Sequence, residues 1–85
     1  MERVALPLPQ PIRTRGKGLR ANVRTVEEAI RLIDNELPEE LRALSRWTFA
    51  RALLVEAERS GKKRDMTSAF RQLKQALATE GWLAD

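Results

Sequence analysis

Apolar residues recur at intervals of three and four in three separate runs between Val26 and Leu77. The run nearest the C-terminus is the most regular, and comprises Met66, Ala69, Phe70, Leu73, Ala76 and Leu77. This spacing places apolar side chains on one side of a helix, which must be buried against other elements. A chain of 85 residues has room for one small core. We therefore expect three helices to share that core in a single domain, 1–85.

The first helix is predicted to begin after Thr25. Thr25-Val26-Glu27-Glu28 fits a capping box, in which the Thr25 hydroxyl accepts from the Glu28 amide and the Glu28 carboxylate reaches back to Thr25. The apolar face of this helix is Val26, Ala29, Ile30, Ile33 and Leu37. Pro38 either ends this helix or begins the next one, because proline is favoured at the first helical position.

The second helix is expected to run from Pro38 to Ser60-Gly61, where glycine tolerates the conformation that follows a helix. Its apolar stripe is widened by Phe49, Leu53 and Val55, and we therefore expect this helix to lie centrally. The stripe itself consists of Leu41, Leu44, Trp47, Ala50, Leu54 and Ala57.

The third helix follows a short basic loop, Lys62-Lys63-Arg64, and Asp65 is its predicted cap. Gly81 is expected to end the helix in the left-handed conformation. Trp82 would then pack back on Leu77, which is the apolar contact of a Schellman motif.

The part of the chain before Thr25 is predicted to contain a β-hairpin over 12–24. Prolines at positions 7, 9 and 11 predict that 1–11 is extended and unpaired, or at most an edge. Leu19, Ala21 and Val23 alternate with polar residues and should face the helices, while Gly16 and Gly18 supply positive φ angles around Lys17. The expected fold is α+β, a two-stranded β-hairpin packed on three α-helices in the order β-β-α-α-α, with the helical part covering 25–83.

Two absences restrict the chemistry that the sequence offers. The chain has no cysteine and no histidine, which removes disulfides, thiolate nucleophiles, the commonest metal ligand and the commonest acid–base group. We therefore predict that the protein is not an enzyme, with no catalytic residues, no cofactor and no metal site.

The charge of the chain is concentrated at one end. Residues 1–25 hold six basic residues and one acidic residue, a net charge of +5, whereas 26–85 hold ten basic and eleven acidic residues, a net charge of −1. The basic residues of the predicted hairpin make a candidate nucleic-acid or anion-binding face, comprising Arg13, Arg15, Lys17, Arg20 and Arg24. The alternative is a solvated face that discourages aggregation. No aromatic residue accompanies these arginines, so recognition of single strands is poorly served.

Three aromatic residues are candidates for an interface. Trp47 and Trp82 either pack in the core or mark a contact with a partner, and Phe49 is either covered by the first helix or belongs to a contact patch. The sequence-based hypothesis is a small protein-interaction module with an unknown protein partner or a homodimer, formed through the exposed edge of the hairpin. The alternative hypothesis is a nucleic-acid-binding module. No apolar run is long enough for a membrane span and no signal peptide is recognisable, so we expect a cytoplasmic protein without a membrane partner.

The order of these segments resembles the bacterial domain of unknown function 982 family. The shared features are an opening Pro11-Ile12, the helix start Val23-Arg24-Thr25-Val26-Glu27-Glu28-Ala29, a central alanine-rich helix and an ending Gly81-Trp82-Leu83. The resemblance implies a short bacterial protein with a hairpin followed by helices. The family has no assigned activity, so the resemblance implies no site residues.

Overall fold

The computed structural model describes residues 6–16 and 18–84. The elements follow in the order β1 (Pro7–Arg13), β2 (Asn22–Thr25), α1 (Val26–Arg31), a π-helical turn (Leu32–Glu36), α2 (Glu39–Arg42), α3 (Ser45–Ser60) and α4 (Lys63–Glu80). An antiparallel hairpin therefore precedes the helices, and the expected α+β fold is confirmed. The second helix of the sequence analysis is divided into α2 and α3. Residues 1–5 of the predicted extended segment and Lys17 lie outside the described residues.

The hairpin begins earlier than the sequence indicates. Pro7 lies opposite Thr25, Ile12 opposite Val23 and Arg13 opposite Asn22, with an irregular register between Pro7 and Ile12. Of the two alternatives for 1–11, the described part is an edge strand rather than an unpaired segment. Its register pairs are at the two ends of the strand, and the prolines between them, which have no amide to donate, lie in the irregular part. The amide of Val26 also donates to the carbonyl of Leu6 at 2.9 Å.

The connection between the strands does not follow the predicted alternation. Val23 is buried and Leu19 half-buried, but Ala21, expected to face the helices, is exposed. The amide of Thr14 donates to the carbonyl of Ala21 at 2.9 Å, and the Thr14 hydroxyl donates to the carbonyl of Arg20. These bonds bend the chain across the end of the hairpin, so 19–21 belong to the connection and β2 begins only at Asn22.

The C-terminal tail pairs with β1, which the sequence analysis did not predict. Leu83 forms an antiparallel bridge with Thr14, the amide of Arg15 donates to the carbonyl of Trp82, and the amide of Ala84 donates to the carbonyl of Arg13. The edge of the hairpin is thereby occupied over 13–15. The same contacts fasten the C-terminal end of α4 to the hairpin.

Gly16 and Gly18 are required for different reasons. Gly18 has a φ of 85°, as predicted, whereas the φ of Gly16 lies outside the left-handed region. A Cβ on Gly16 would lie 2.9 Å from Cγ of Trp82 and would also collide with Leu19. Glycine is therefore needed at position 16 for space and at position 18 for its backbone conformation.

The predicted capping box of α1 is confirmed with one shift. The amide of Glu28 donates to the Thr25 hydroxyl at 3.1 Å, while the Glu28 carboxylate accepts from the amide of Arg24 at 2.7 Å, one residue before the cap. The π-helical turn after α1 has more residues per turn than an α-helix. Leu32 and Ile33 are both buried there. Leu32 was absent from the predicted apolar face, because an α-helical period directs it elsewhere.

A continuous helix from Pro38 to Ser60 does not form. The amide of Leu44 donates to the carbonyl of Leu41 at 3.0 Å, and Leu44 itself is extended, with φ −71° and ψ 144°. The break lets Leu41 pack on the core from α2 while Trp47 is buried from α3. Leu44 consequently leaves the predicted stripe and is 36% exposed.

The start of α4 differs from the predicted start, whereas its end agrees with the predicted end. The helix begins at Lys63 after Lys62, so the basic residues 63 and 64 lie in its first turn rather than in a loop, and Asp65 is not its cap. The Asp65 carboxylate instead accepts from the Ser60 hydroxyl at 2.6 Å, which joins the ends of α3 and α4. At the other end Gly81 has a φ of 78°, and the amide of Trp82 donates to the carbonyl of Leu77 at 2.9 Å. The Schellman motif is confirmed.

The core lies between the hairpin and the helices. β1 contacts α4 and β2 contacts α1, and both of these helices pack against α3, so α1 and α4 lie between the hairpin and α3. The largest side chains of the core are Trp47, Leu32, Ile33, Leu54, Leu73, Leu77, Val23 and Val26. None of the helices in the described part of the chain is both long and apolar enough to cross a membrane.

Candidate anion-binding site

The outer face of the hairpin carries an open groove with a volume of about 450 Å³, lined by Pro11, Arg13, Asn22 and Arg24. We call these four residues the hairpin groove. Ile12 and Val23 lie between them along the strands and are buried, so the period of two in β1 and β2 turns all four lining residues outward. Arg13 and Asn22 are opposite each other in the register.

The groove combines positive charge with a neutral hydrogen-bonding group. The side chains of Arg13 and Arg24 are exposed and form no ion pair with a carboxylate among the described residues. Each guanidinium has several N–H donors in a planar fork, and the Asn22 amide both donates and accepts. The backbone of Arg24 is fixed because its amide donates to the Glu28 carboxylate. None of the four described lining residues is a nucleophile or a general base, and what they offer is positive charge and hydrogen-bonding groups.

Arg20 does not belong to this face, and the prediction that placed it there is wrong. Its amide donates to Oε1 of Glu36 at 2.8 Å and its Nε donates to Oε2 of the same carboxylate at 3.0 Å. Nη1 of Arg20 also lies 3.9 Å from Oε2 of Glu28. The bent connection directs this side chain toward the π-helical turn, where it is half-buried and paired.

The remaining basic residues of the prediction are placed outside the groove or are not described. Arg15 is exposed, and its Nε lies 3.4 Å from the carbonyl of Gly81, at the C-terminal end of α4, where a cation is favoured by the helix dipole. Lys17 is outside the described residues. The basic residues Lys62, Lys63 and Arg64 lie at the opposite end of α4, roughly 27 Å along the helix from the tail that pairs with β1.

Asn22 is a groove residue that the sequence analysis did not select. Its side chain is neutral, so charge does not single it out. Its position in the alternation, two residues before Arg24, was the available signal.

Three arginines on the helical side have carboxylate partners. Arg46 contacts Glu80 at 3.2 Å, Arg51 contacts Asp34 at 2.7 Å and Arg59 contacts Glu56 at 2.7 Å. Hydrogen bonds from Arg51 lower the pKa of Asp34 below its ordinary value, and the same bonds raise the pKa of Arg51. The hydrogen bonds to Glu56 likewise raise the pKa of Arg59.

The three candidate interface aromatics have different environments. Trp47 is completely buried, and its indole Nε1 donates to the Glu80 carboxylate at 3.1 Å, so the interface alternative is wrong for this residue. Trp82 is half-buried, with its ring centroid 6.3 Å from that of Trp47. Phe49 is 54% exposed and is not covered by α1.

No group of three or more acidic side chains within 6–16 and 18–84 is placed to hold a metal ion. The carboxylate of Glu36 is already paired with Arg20.

No family model, no curated protein and no solved structure matches this chain. The resemblance to the domain of unknown function 982 family therefore stays a prediction.

Proposed function

We propose that this protein is a non-enzymatic module that binds the phosphate backbone of double-stranded nucleic acid through the hairpin groove. The observation that carries the proposal is the pair Arg13 and Arg24, exposed on one face and without a carboxylate partner in the described chain. The sequence contains no acidic residue between positions 7 and 25, so every charged residue of the hairpin itself is basic. A field of one sign attracts a polyanion and raises its association rate.

The shape of the site supports a duplex more than a single strand. Arg13 and Arg24 lie on neighbouring strands, where diagonal positions are roughly 7–8 Å apart, so both guanidiniums are able to contact one backbone. A two-stranded ribbon fits the width of a major groove. None of the groove residues is aromatic, and stacking on bases, which dominates single-strand binding, is not available there.

Affinity in such a site is supplied by phosphate contacts and counterion release rather than by base recognition. Asn22 and the two arginines are all able to reach base edges, but arginines that contact the phosphate backbone carry no sequence information there. We therefore expect weak sequence preference and strong salt dependence. The proposal includes a cytoplasmic location, where nucleic acid is accessible.

Fluorescence anisotropy with labelled duplex and single-stranded oligonucleotides of equal length tests the proposal. The comparison is between the parent protein, the variant Arg13→Ser/Arg24→Ser and the control Arg31→Ser/Arg71→Ser. Arg31 and Arg71 are exposed on α1 and α4, away from the groove, and both double variants have the same formal net charge, two below the parent's +4. Titrations at about 50 and about 200 mM salt give the salt dependence.

The parent is expected to bind the duplex with an affinity that falls steeply with salt. Loss of the two groove arginines should weaken binding by about tenfold or more and reduce the slope of log K against log salt by about two, because two phosphate contacts disappear. The control should stay within about threefold of the parent. Equal losses in both variants would mean that net charge alone is responsible, and preference for the single strand or flat titrations at low salt would overturn the proposal.

A further inference from the structure

The outward side of α3 carries no charge from Ser45 to Val55, and Glu56 and Arg59, which follow on the same side, pair with each other at 2.7 Å. Ser45, Thr48, Phe49, Ala52 and Val55 succeed one another along it, and all five are exposed. Phe49 is 54% and Val55 38% exposed. We call these five residues the α3 outward face. One third of the chain is charged, so an exposed helix face without a charge is a departure from the composition of the surface.

The polar groups near this face are already satisfied within the chain. Arg46 and Arg51, the charged residues between 45 and 55, are turned toward Glu80 and Asp34. The Thr48 hydroxyl donates to the carbonyl of Ser45 at 3.1 Å. Covering the face would therefore remove apolar surface from water and leave these groups with their partners.

The two ends of the face have opposite charges. Glu39 and Glu40 are exposed in α2, next to the N-terminal end of α3. Lys62, Lys63 and Arg64 are exposed at the other end, where α3 is followed by α4. None of these five side chains has an ion-pair partner in 6–16 or 18–84. Arg42 is also exposed in α2 and donates to the carbonyl of Asp34 at 2.9 Å, so the net charge of α2 is −1.

We propose that the α3 outward face binds a second copy of this chain, with the two α3 helices antiparallel around a two-fold axis near Ala52. Phe49 and Val55 are equidistant from Ala52 in sequence, so each Phe49 meets the region of Val55 in the second copy. The small side chain of Ala52 permits close approach at the crossing. Antiparallel packing also brings Glu39 and Glu40 of each copy to the basic end of the other, and this charge complementarity occurs twice in a two-fold dimer.

This arrangement is an alternative to the predicted dimer through the exposed edge of the hairpin. The C-terminal tail occupies the edge on the side of β1 over 13–15. Because α1 and α4 lie between α3 and the hairpin, the hairpin groove stays open in the proposed dimer. The inference is therefore independent of nucleic-acid binding. With α3 only about 24 Å long, the contact is smaller than an obligate interface, and we expect a reversible dimer in the micromolar range.

Sedimentation equilibrium over a concentration series tests the dimer. It uses two charge variants, each designed so that two copies of the same variant repel each other and the two different variants attract each other. Glu39→Lys/Glu40→Lys makes both ends of the face basic, and Lys63→Glu/Arg64→Glu makes both ends mainly acidic. Each variant alone is expected to dissociate about tenfold more readily than the parent, while an equal mixture of the two should form the mixed dimer. Native mass spectrometry distinguishes the mixed dimer from the two self-dimers by mass.

Phe49→Ser tests the apolar part of the face, and Arg13→Ser/Arg24→Ser is its control. Circular dichroism establishes that each variant is folded before its dimer is measured. Phe49→Ser should raise the dissociation constant about tenfold or more, whereas the groove variant should match the parent. A parent that stays monomeric at high micromolar concentration would overturn the proposal. An unchanged dissociation constant for Phe49→Ser, or a mixture without excess mixed dimer, would also overturn it.

Discussion

On the helical side of the molecule the guanidiniums of Arg46, Arg51 and Arg59 each contact a carboxylate, whereas those of Arg13 and Arg24 on the hairpin form no ion pair that the structure describes. The two regions differ in the acids available to them, because eleven of the twelve acidic residues follow residue 25. These three helical arginines therefore contribute to the fold, while Arg13 and Arg24 keep their guanidinium donors for an external anion.

Arg20 shows that composition is not the whole reason for this difference. It is four residues from Arg24 in a segment without acids, yet Glu36 reaches it from the π-helical turn. Direction of the backbone decides the outcome: β2 turns Arg24 outward, and the bent connection turns Arg20 inward. An arginine is available for binding only where its guanidinium is not already engaged by a carboxylate.

The largest expected effect is the difference in stability between a variant of the helical core and a variant of the groove. Leu73 is completely buried in α4, and Leu73→Ala should lower the free energy of unfolding by about 2–5 kcal/mol, because it leaves a cavity. Arg13→Ala removes an exposed side chain and should change that free energy by about 0.5 kcal/mol or less. Urea unfolding followed by tryptophan fluorescence measures both. Similar losses in the two variants would contradict the distinction between scaffold and site.

The next effect concerns a carboxylate with two donors. Oε2 of Glu80 accepts from Nε1 of the buried Trp47 and from Nε of Arg46. Glu80→Ala should cost about 1–3 kcal/mol, since it leaves the indole N–H without its acceptor. Glu80→Gln keeps an acceptor for the indole and should cost less. Thermal unfolding of the pair measures the difference, and equal stability of the two variants would show that the indole bond is dispensable.

Two arginines of the hairpin sharpen the comparison between paired and unpaired groups. Arg20→Gln should cost about 1 kcal/mol, because a half-buried carboxylate loses a charged donor. Arg24→Gln should leave stability within about 0.5 kcal/mol of the parent and weaken duplex binding instead. Chemical unfolding and anisotropy titrations on the same two proteins test this reversal. A stability loss at Arg24 equal to that at Arg20 would contradict it.

The smallest effect depends on pH. The pKa of Asp34 is lowered chiefly by the hydrogen bonds from Arg51, so the folded state favours the ionised carboxylate. The contribution of this pair is therefore complete above the ordinary value of 3.8 and is lost as the pH falls below it. The pair is partly exposed, and we expect a contribution of about 0.2–1 kcal/mol. Unfolding measured between neutral and acidic pH should be less pH-dependent for Asp34→Asn than for the parent, and identical profiles would contradict the assignment.

Local sequence signals predicted the ends of several helices correctly. Thr25 caps α1, and Gly61 and Gly81 end α3 and α4 in the left-handed conformation. These features depend on neighbours within a few residues, so a sequence pattern carries them. The break at Leu44 and the π-helical turn were not predicted, because both accommodate packing against residues distant in sequence.

The candidate site was predicted in part. The alternation around Val23 identified Arg24 as outward-facing, and Arg13 was selected for its charge. Asn22 was missed, and Arg20 was assigned to the wrong surface. The sequence shows that a side chain is basic, but the carboxylate that approaches it comes from another part of the chain.

The sequence by itself determined the helical periods, the capping of α1, the stops at Gly61 and Gly81, the order of strands before helices and the excess of positive charge near the N-terminus. Only the tertiary structure decided that the tail pairs with β1, that Gly16 is needed for the approach of Trp82, and that Arg13 and Arg24 share an open groove. The physical reason is the different range, along the chain, of the interactions involved. Propensity, capping and alternation act between close neighbours in the chain, whereas pairing, burial and exposure depend on which distant segments the single small core brings together.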